Sequence, residues 1–244
     1  MKVSIITANR NCQKWLPKTI GSVRDQGYPD YEHLILDDCS TDNSRNVLKD
    51  LAKGDPHIKI FHAPKRLRCG SSYAQLADAA QGDIVGVLDS DDALTKNAIR
   101  IIVDLYKVHS DVGYIWSQHW ACDERLRKVR IGVSSYPKKW ASLLEAGIGM
   151  KHCFSHWRTY RRSIVAKGSD IFKEGLKSAV DKYMAYALEE RGIGGFTPEI
   201  LYYYRQRLGG LSFTGRRNWE RMKRKTAARR LEMNIKPFPT VKLG

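Results

Sequence analysis

Four short apolar segments, separated by stretches with helical spacing, constrain the fold of this chain more than any other feature. The segments are VSIIT (3–7), EHLILDD (32–38), IKIFHA (58–63) and DIVGVLD (83–89), and their content of Val, Ile and Leu is typical of buried strands. Helices are predicted at about 15–26, through Val47, Leu48 and Leu51, and at about 72–80. This alternation predicts an α/β fold with a mixed, mainly parallel sheet flanked by helices, in which ligands bind beyond the carboxyl ends of the strands.

Two acidic clusters stand at predicted strand ends, Asp37-Asp38 and Asp89-Ser90-Asp91-Asp92. Aspartates in such positions are often helix N-caps, and we expect this role for Asp92, which precedes the predicted helix in ALTKNAIRIIVDLY. Asp89 and Asp91 flank a small serine, so both carboxylates could face the same side. Oxygen ligands suit Mg²⁺ or Mn²⁺, and Mg²⁺ is held by one or two carboxylates together with substrate phosphates. We therefore predict a divalent metal carrying a diphosphate at this loop.

Five segments in order extend this interpretation: VSIITANRN, SVRDQGYPDYEHLILDDCSTDNS, AAQGDIVGVLDSDD, FKEGLKSAVDKYMAYALEERG and LYYYRQRLGGLS. In this order they resemble the family 2 glycosyltransferases of the Rossmann-like GT-A fold, over about residues 3–213. The resemblance implies a glycosyltransferase domain at 1–213, with a nucleotide-sugar-binding half at 1–110 and an acceptor and catalytic-base half at 111–213. A basic C-terminal helix and tail would follow at 214–244.

The resemblance also implies roles for individual residues. Asp38 matches the aspartate that binds the nucleotide base, Asp89 the carboxylate near the ribose and metal, and Asp91 the ligand of the metal that bridges the two phosphates. Asp181 in SAVDKY matches the catalytic base. The reaction would be an inverting transfer from a nucleotide sugar, expected to be a UDP-sugar, with Mn²⁺ or Mg²⁺ and an arginine, Arg68 or Arg205, neutralising the leaving diphosphate.

The chain departs from the family pattern at four places. Thr7-Ala8 replaces the usual Pro-Thr, so contacts to the nucleoside are expected from Thr7, Ala8, Asn9 and Arg10 together. The usual Arg-Asn pair is missing, and RLRCGSSYAQLADAA offers Arg66, Arg68 and Gln75 instead. Val180 replaces a glutamate before Asp181, and Gln206 and Arg207 stand where a histidine is common.

The spacing of the cysteines and histidines favours neither a zinc site nor disulfides. The five cysteines are widely spaced without a C-x-x-C pair, which predicts reduced thiols. His152, Cys153 and His156 are close in sequence, but three local ligands without a fourth favour a structural or acceptor-side role over zinc. The surrounding segment HCFSHWRTYRRS fits either an acceptor pocket or a core strand, and the sequence does not separate the two.

The balance of 42 Lys and Arg against 26 Asp and Glu gives a net charge of +16, which predicts a polyanionic partner. The stretch RRNWERMKRKTAARRLEM (216–233) is predicted to be a basic helix. Such a helix could be a solvated face, lie on anionic lipid with Trp219 and Met222 inserted, or follow a phosphate backbone. With no run of eighteen apolar residues and no signal peptide pattern, we expect a cytoplasmic protein, free or peripheral at the inner membrane surface.

The sequence leaves three functions open, in order of preference. The first is glycosyl transfer to an envelope glycan or a lipid-linked sugar. The second is glycosyl transfer to phage-type DNA with hydroxymethylated bases, contacted by basic residues of 158–162 and 216–230. The third function is a non-catalytic module that binds nucleic acid or a membrane surface. The phosphate-binding patterns GxxxxGKS and GxGxxG do not occur.

Overall fold

The computed structural model describes residues 1–137, 142–146, 154–173, 176, 179–207 and 216–243. The strands are β1 Val3–Asn9, β2 Tyr31–Asp37, β3 Ile58–His62, β4 Ile84–Val87, β5 Ala93–Leu94, β6 Val112–Cys122, β7 Lys128–Ile131, β8 Arg158–Arg161, β9 Ile193–Arg205 and β10 Thr240–Lys242. The helices are α1 Leu16–Arg24, α2 Ser44–Ala52, α3 Cys69–Ala79, α4 Ala98–Val108, α5 Leu143–Ala146, α6 Val180–Glu189 and α7 Arg216–Glu232. In this part of the chain, no helix is both long and apolar enough to cross a membrane.

The strands form one sheet in the order β10-β9-β6-β8-β4-β1-β2-β3. The pairs that join β3, β2, β1 and β4 are parallel, as are those of β9 with β6 and with β10. Along this path only β8 runs antiparallel to its neighbours, β4 and β6. The predicted mixed, mainly parallel sheet is therefore confirmed.

Helices cover both faces of the sheet because successive residues of each central strand point to opposite sides. In β2, Leu34 and Leu36 belong to the apolar cluster that contains α3 and α6 residues, whereas Ile35 packs with α1 and α2. In β4, Val85 joins the first cluster and Ile84 packs with α4 on the opposite face. Burial on both faces explains why these strands read as continuous apolar runs.

The parallel register brings three strand ends to one edge of the sheet. Asn9 at the end of β1 pairs with Asp37 at the end of β2, and Ile6 pairs with Val87 at the end of β4. The chain segments that continue from β1, β2 and β4 therefore emerge side by side, and both acidic clusters follow directly on this edge.

The second half of the chain closes the same edge from the other side. The long strand β9 runs parallel to β6, and near its end Tyr202 and Tyr203 pair with Leu94 and Ala93 of β5. Since β5 directly follows Asp92, this short ladder holds the end of β9 against the acidic loop.

Helix α7 packs on α6 through buried charges. The Arg230 guanidinium donates to Glu189 at 3.0 Å and to Glu190 at 2.8 Å, and Arg230 and Glu189 are both buried. Farther along the chain, β10 adds to the sheet beside β9. The basic helix predicted for this stretch is present, but the predicted domain boundary between 213 and 214 lies outside the described residues.

Candidate functional site

Asp89 lies at the centre of the candidate site, directly after β4. Its carboxylate accepts a hydrogen bond from the Tyr73 hydroxyl at 2.7 Å and forms an ion pair with Arg158 at 2.9 Å. Arg158 is buried in β8. Burial alone would lower the pKa of this guanidinium, but the charges of Asp89 and Asp181 raise it above its usual value. The guanidinium therefore stays charged, and Arg158 and Tyr73 together hold the Asp89 carboxylate in one orientation.

Asp91 is bound by an arginine from the segment after β9. The Arg207 guanidinium lies 2.5 Å from the Asp91 carboxylate and stacks on the Trp15 ring at 4.5 Å. The neighbouring Arg205 is buried, and its guanidinium donates to the main-chain carbonyls of Asp91 and Glu124. The side chain of Arg207, rather than that of Arg205, therefore pairs with a carboxylate of the acidic loop. The sequence did not predict this role for Arg207.

Asp92 is not the helix cap that the sequence predicted. Helix α4 begins six residues later, at Ala98, because residues 93–94 form β5 instead. The buried Asp92 carboxylate accepts hydrogen bonds from the Tyr202 hydroxyl at 2.9 Å and from the Arg205 main-chain N–H at 2.7 Å. Burial, and then the charges of Asp91 and Asp89, raise its pKa well above the usual value.

One group of side chains in the described part of the chain fits a metal ion. Ligand atoms of Asp89, Asp92 and His156 lie within 4.8 Å of one another. Two carboxylates and an imidazole suit a divalent first-row ion such as Mn²⁺. Asp91 is outside this group, and its assignment as a metal ligand stays a prediction.

His156 was not predicted as a member of this cluster. Its ring stacks on Tyr202 at 4.7 Å and on Tyr204 at 4.8 Å. Burial, followed by the charge of Arg158, lowers the pKa of His156 well below its usual value, so the ring is neutral. Its proximity in sequence to His152 and Cys153 suggested a different grouping, and those two residues lie outside the described part of the chain.

Asp38 holds the loop that leads into α3. Its buried carboxylate accepts the main-chain N–H groups of Leu67 at 2.5 Å and Arg68 at 2.9 Å. Arg68 has a φ of +74°, a backbone conformation that residues other than glycine seldom adopt. This arrangement fixes the loop beside the strand edge, and the half-buried Arg68 side chain borders the site.

The environment of Cys69 shows that three predicted residues converge. Burial, followed by the charges of Asp89, Asp181 and Asp38, raises the pKa of its thiol to about 12, and the charge of Arg158 opposes this shift. These carboxylates come from segments after β4, in α6 and after β2. The structure therefore brings together the residues predicted to bind the sugar nucleotide and the residue predicted as the catalytic base.

Asp181 lies in the first turn of α6 and is half-buried. The preceding Val180, at the position where the resemblance implied a glutamate, is buried in the apolar cluster beneath the helix. Val180 thus anchors the turn that carries Asp181. A second carboxylate in the same segment, Glu174, could be the base in place of Asp181, and it lies outside the described residues.

The residues at the end of β1 divide into two kinds. Thr7 and Asn9 are buried, and they bind His33 at 2.9 Å and Asp37 at 2.8 Å, so their side chains join β1 to β2. Ala8 and Arg10 are half-buried at the strand edge. Any side-chain contact of this segment with a nucleotide therefore depends on Ala8 and Arg10. Arg66, before α3, and Gln75, in α3, are both exposed.

The basic residues of 158–162 all bind other groups of the same chain, although Arg162 is exposed. Arg158 pairs with Asp89, Arg161 donates to the main-chain carbonyls of Val112 and Tyr106, and Arg162 donates to that of Gly82. The segment 158–161 is the central strand β8, so the core-strand alternative holds for it. The contact with a phosphate backbone that we expected from these arginines is not supported by their geometry.

Acidic residues at the carboxyl edge of a mainly parallel sheet, facing a carboxylate from a later helix, define the site of a GT-A glycosyltransferase. Residues 4–168 match the profile described as Glycosyl transferase family 2, and the chain belongs to this family. The resemblance deduced from its motifs is confirmed. TuaG of Bacillus subtilis (strain 168), named for teichuronic acid biosynthesis, is 35% identical over 98 residues, which are 40% of this chain and 39% of TuaG.

Two solved structures share the fold. TarS 1-349 of S. aureus in complex with UDP-GlcNAc matches with a TM-score of 0.77 and 21% identity, over 93% of this chain and 66% of that one. A mannosyltransferase from Pyrobaculum calidifontis in complex with GDP-Man and Mn²⁺ matches with a TM-score of 0.66 and 13% identity, over 94% of this chain and 64% of that one. The predicted GT-A fold is thereby confirmed. The chain spans less than half the length of the first curated relatives that it matches.

Proposed function

We propose that the protein is an inverting, metal-dependent glycosyltransferase that moves a sugar from a UDP-sugar to a hydroxyl group of an envelope glycan or a lipid-linked sugar. The convergence of Asp38, Asp89 and Asp181 around Cys69 is the observation that carries this proposal. Inverting transfer needs a base on one side of the anomeric carbon and charge neutralisation on the other. The site offers a carboxylate for the first task and an acidic loop with its arginines for the second.

Asp181 would accept the proton of the acceptor hydroxyl. It is the carboxylate of this cluster that lies in a helix of the second half, apart from the acidic loop, and it is half-buried rather than enclosed. Arg158 lies close enough for the charge of Asp181 to raise the pKa of the Arg158 guanidinium.

Asp89, Asp92 and His156 would hold a divalent ion, joined by Asp91 if Arg207 releases it. When bound, this ion would act as a Lewis acid that neutralises the diphosphate of the donor. Arg207 lies beside the acidic loop and would bind a phosphate oxygen of the same group. The structures of similar fold that contain UDP-GlcNAc, or GDP-Man with Mn²⁺, support this assignment by analogy.

The similarity to TuaG, which is named for teichuronic acid biosynthesis, supports an envelope acceptor. DNA with hydroxymethylated bases is the second candidate, favoured by the net charge of +16. It loses support because Arg158, Arg161 and Arg162 bind partners within the same chain.

Nucleotide binding is tested by thermal unfolding with UDP and Mn²⁺. We expect stabilisation that disappears with EDTA, because the metal would bridge the protein and the diphosphate. Asp89→Asn should abolish this stabilisation, because Asp89 is one of the three residues that would hold the ion, whereas Asp91→Asn should do so only if Asp91 joins them. Asp50→Asn, on the exposed side of α2, is the matched control. Full metal-dependent stabilisation of the Asp91→Asn protein would remove that residue from the metal site.

The acceptor is tested by incubating the protein with radiolabelled UDP-sugars and either membrane extract or hydroxymethylated duplex DNA. We expect label in the extract, lost in the Asp181→Asn variant. Salt-sensitive transfer to DNA would reverse the order of the two acceptors. Transfer to neither, with every common UDP-sugar, would contradict the proposed function.

A further inference from the structure

The hairpin that joins β6 to β7 carries an unusual surface. Three β-branched aliphatic side chains, Val129, Ile131 and Val133, are exposed to 63%, 51% and 58%. They lie within five residues of one another along the chain. Side chains of this kind gain free energy when they leave water, roughly 25 cal/mol for each Å² buried, and a row of them on a surface indicates an interaction site. We call residues 123–133 the basic hairpin.

Cationic side chains alternate with these aliphatic ones along the chain. Arg125, Arg127, Lys128 and Arg130 are exposed in the same hairpin, against two acidic residues, Asp123 and Glu124. Arg127 pairs with Asp123 at 2.6 Å, and Glu124 pairs with Lys14 at 2.8 Å. The acidic charges of the hairpin are thus neutralised locally, and its remaining charge is positive.

The tip of the basic hairpin is held in one conformation. The Asp123 carboxylate accepts the main-chain N–H groups of Arg125 and Arg127, each at 2.9 Å. Lys128 lies over the Trp120 ring at 4.9 Å. A surface that is ordered before binding loses less entropy on binding.

The basic hairpin is also fixed to the candidate site. Gly132 packs so closely on His119 that an added Cβ atom would overlap the His119 ring, and the His119 ring contacts His156 at 5.5 Å. The Arg205 guanidinium donates to the Glu124 carbonyl. Whatever binds the hairpin is therefore brought close to the candidate site.

We infer that the basic hairpin docks the protein on an anionic lipid surface, with Val129, Ile131 and Val133 entering the interface and Arg125, Lys128 and Arg130 contacting lipid phosphates. Aliphatic side chains flanked by Lys and Arg are what an anionic lipid surface selects. A polyanionic glycan or nucleic acid would use the cations but leave the aliphatic side chains in water. The inference rests on the proposed function in that docking would present a lipid-linked acceptor to Asp181.

Helix α7 is the competing surface. It exposes Leu231 near its end, to 87%, and Met233 directly after it is exposed to 62%, but two of its arginines, Arg229 and Arg230, bind Glu190 and Glu189. The hairpin exposes three aliphatic side chains rather than two, and its Arg125, Lys128 and Arg130 are exposed in the same segment. This difference supplies a matched control, because the exposed side chains of either surface can be replaced without changing the core.

The experiment is co-sedimentation with vesicles made of equal parts of phosphatidylcholine and phosphatidylglycerol. We expect the wild-type protein to bind these vesicles and not phosphatidylcholine alone. The variant V129S/I131S/V133S should bind at least about tenfold more weakly, and R125Q/R130Q should lose most of the salt-sensitive part of binding. The control L231S/M233S should bind as the wild type does.

Three results would overturn the inference. They are no binding of the wild type to anionic vesicles, equal binding by the hairpin variants, and loss of binding in the control alone. Concentration-dependent dimerisation that V129S/I131S/V133S abolishes would instead assign the hairpin to a second copy of the chain. UDP binding by the same variants, measured separately, should be unchanged, so failure here is distinguishable from failure of the proposed function.

Discussion

At the scale of residues, two arginines compensate the negative charge of the acidic loop. Asp89 and Asp91 carry like charges two positions apart, and each is paired with a guanidinium, from Arg158 and Arg207 respectively. A pair of this kind, when it is buried, costs desolvation that only close geometry repays. The two arginines thus set the electrostatic conditions under which a metal and a diphosphate would bind.

Asp181→Asn provides the test of the catalytic base. Amide nitrogen and oxygen cannot accept the acceptor proton, so turnover should fall by roughly two orders of magnitude or more. UDP-sugar binding should be almost unchanged, because the residue lies apart from the acidic loop. Initial rates and calorimetric titration measure the two effects, with Asp50→Asn as control. Normal turnover would assign the base to another carboxylate.

At the scale of elements, α6 and α7 are joined by ionisable groups where apolar side chains would be usual. Burial raises the pKa of Glu189 to about 7, and the charge of Arg230 opposes this shift. Glu189 also accepts the main-chain N–H of Leu143, so one carboxylate connects α5, α6 and α7. Such a connection depends strongly on each partner, because an unpaired buried charge is costly.

Arg230→Met should therefore lower the free energy of unfolding by about 3–5 kcal/mol, since it leaves Glu189 buried without its cation. Arg229→Met is the matched control: Arg229 is half-exposed and pairs only with Glu190, so its loss should cost less than about 1 kcal/mol. Urea denaturation measures both. Adding Glu189→Gln to Arg230→Met should restore part of the loss. Equal costs for the two single variants would contradict this account of the helix pair.

At the scale of the whole molecule, one buried histidine links stability to pH. His33 is fully buried in β2 with Nε2 2.9 Å from the Thr7 hydroxyl, and among the described residues its Nδ1 has no hydrogen-bond partner. Burial lowers its pKa to about 3. Its unfolded pKa is roughly 6.5, so the unfolded chain takes up this proton first as the pH falls.

The stability contributed by neutral His33 should be complete above about pH 6.5 and lost progressively as the pH falls towards 3. The raised pKa values of Asp92 and Glu189 give the free energy of unfolding the opposite dependence on pH. The test therefore compares the free energy of unfolding of the wild type with that of the His33→Gln variant at each pH. In urea titrations, the wild type should lose up to about 1.4 kcal/mol per pH unit relative to the variant. Parallel curves for the two proteins would contradict the assignment.

The sequence by itself determined the order of strands and helices in the first half and the positions of Asp38, Asp89 and Asp181. Apolar periodicity and the adjacency of Asp to a strand end are local properties, and they predicted the elements from β1 to β4 closely, whereas β5 and the later start of α4 were missed. The predicted helix at 72–80, for example, begins earlier, at Cys69, because Asp38 fixes the loop before it from a distance in sequence.

Only the tertiary structure decided which groups complete the site. Arg158 reaches Asp89 across 69 positions, and Arg207 reaches Asp91 across 116. Both contacts depend on β8 entering the sheet antiparallel between β4 and β6, and on β9 pairing with β5. Periodicity reports which face of a strand is buried, whereas the choice of neighbouring strand depends on the packing free energy of the whole sheet. For that reason the acidic residues were predictable from the sequence, and their partners were not.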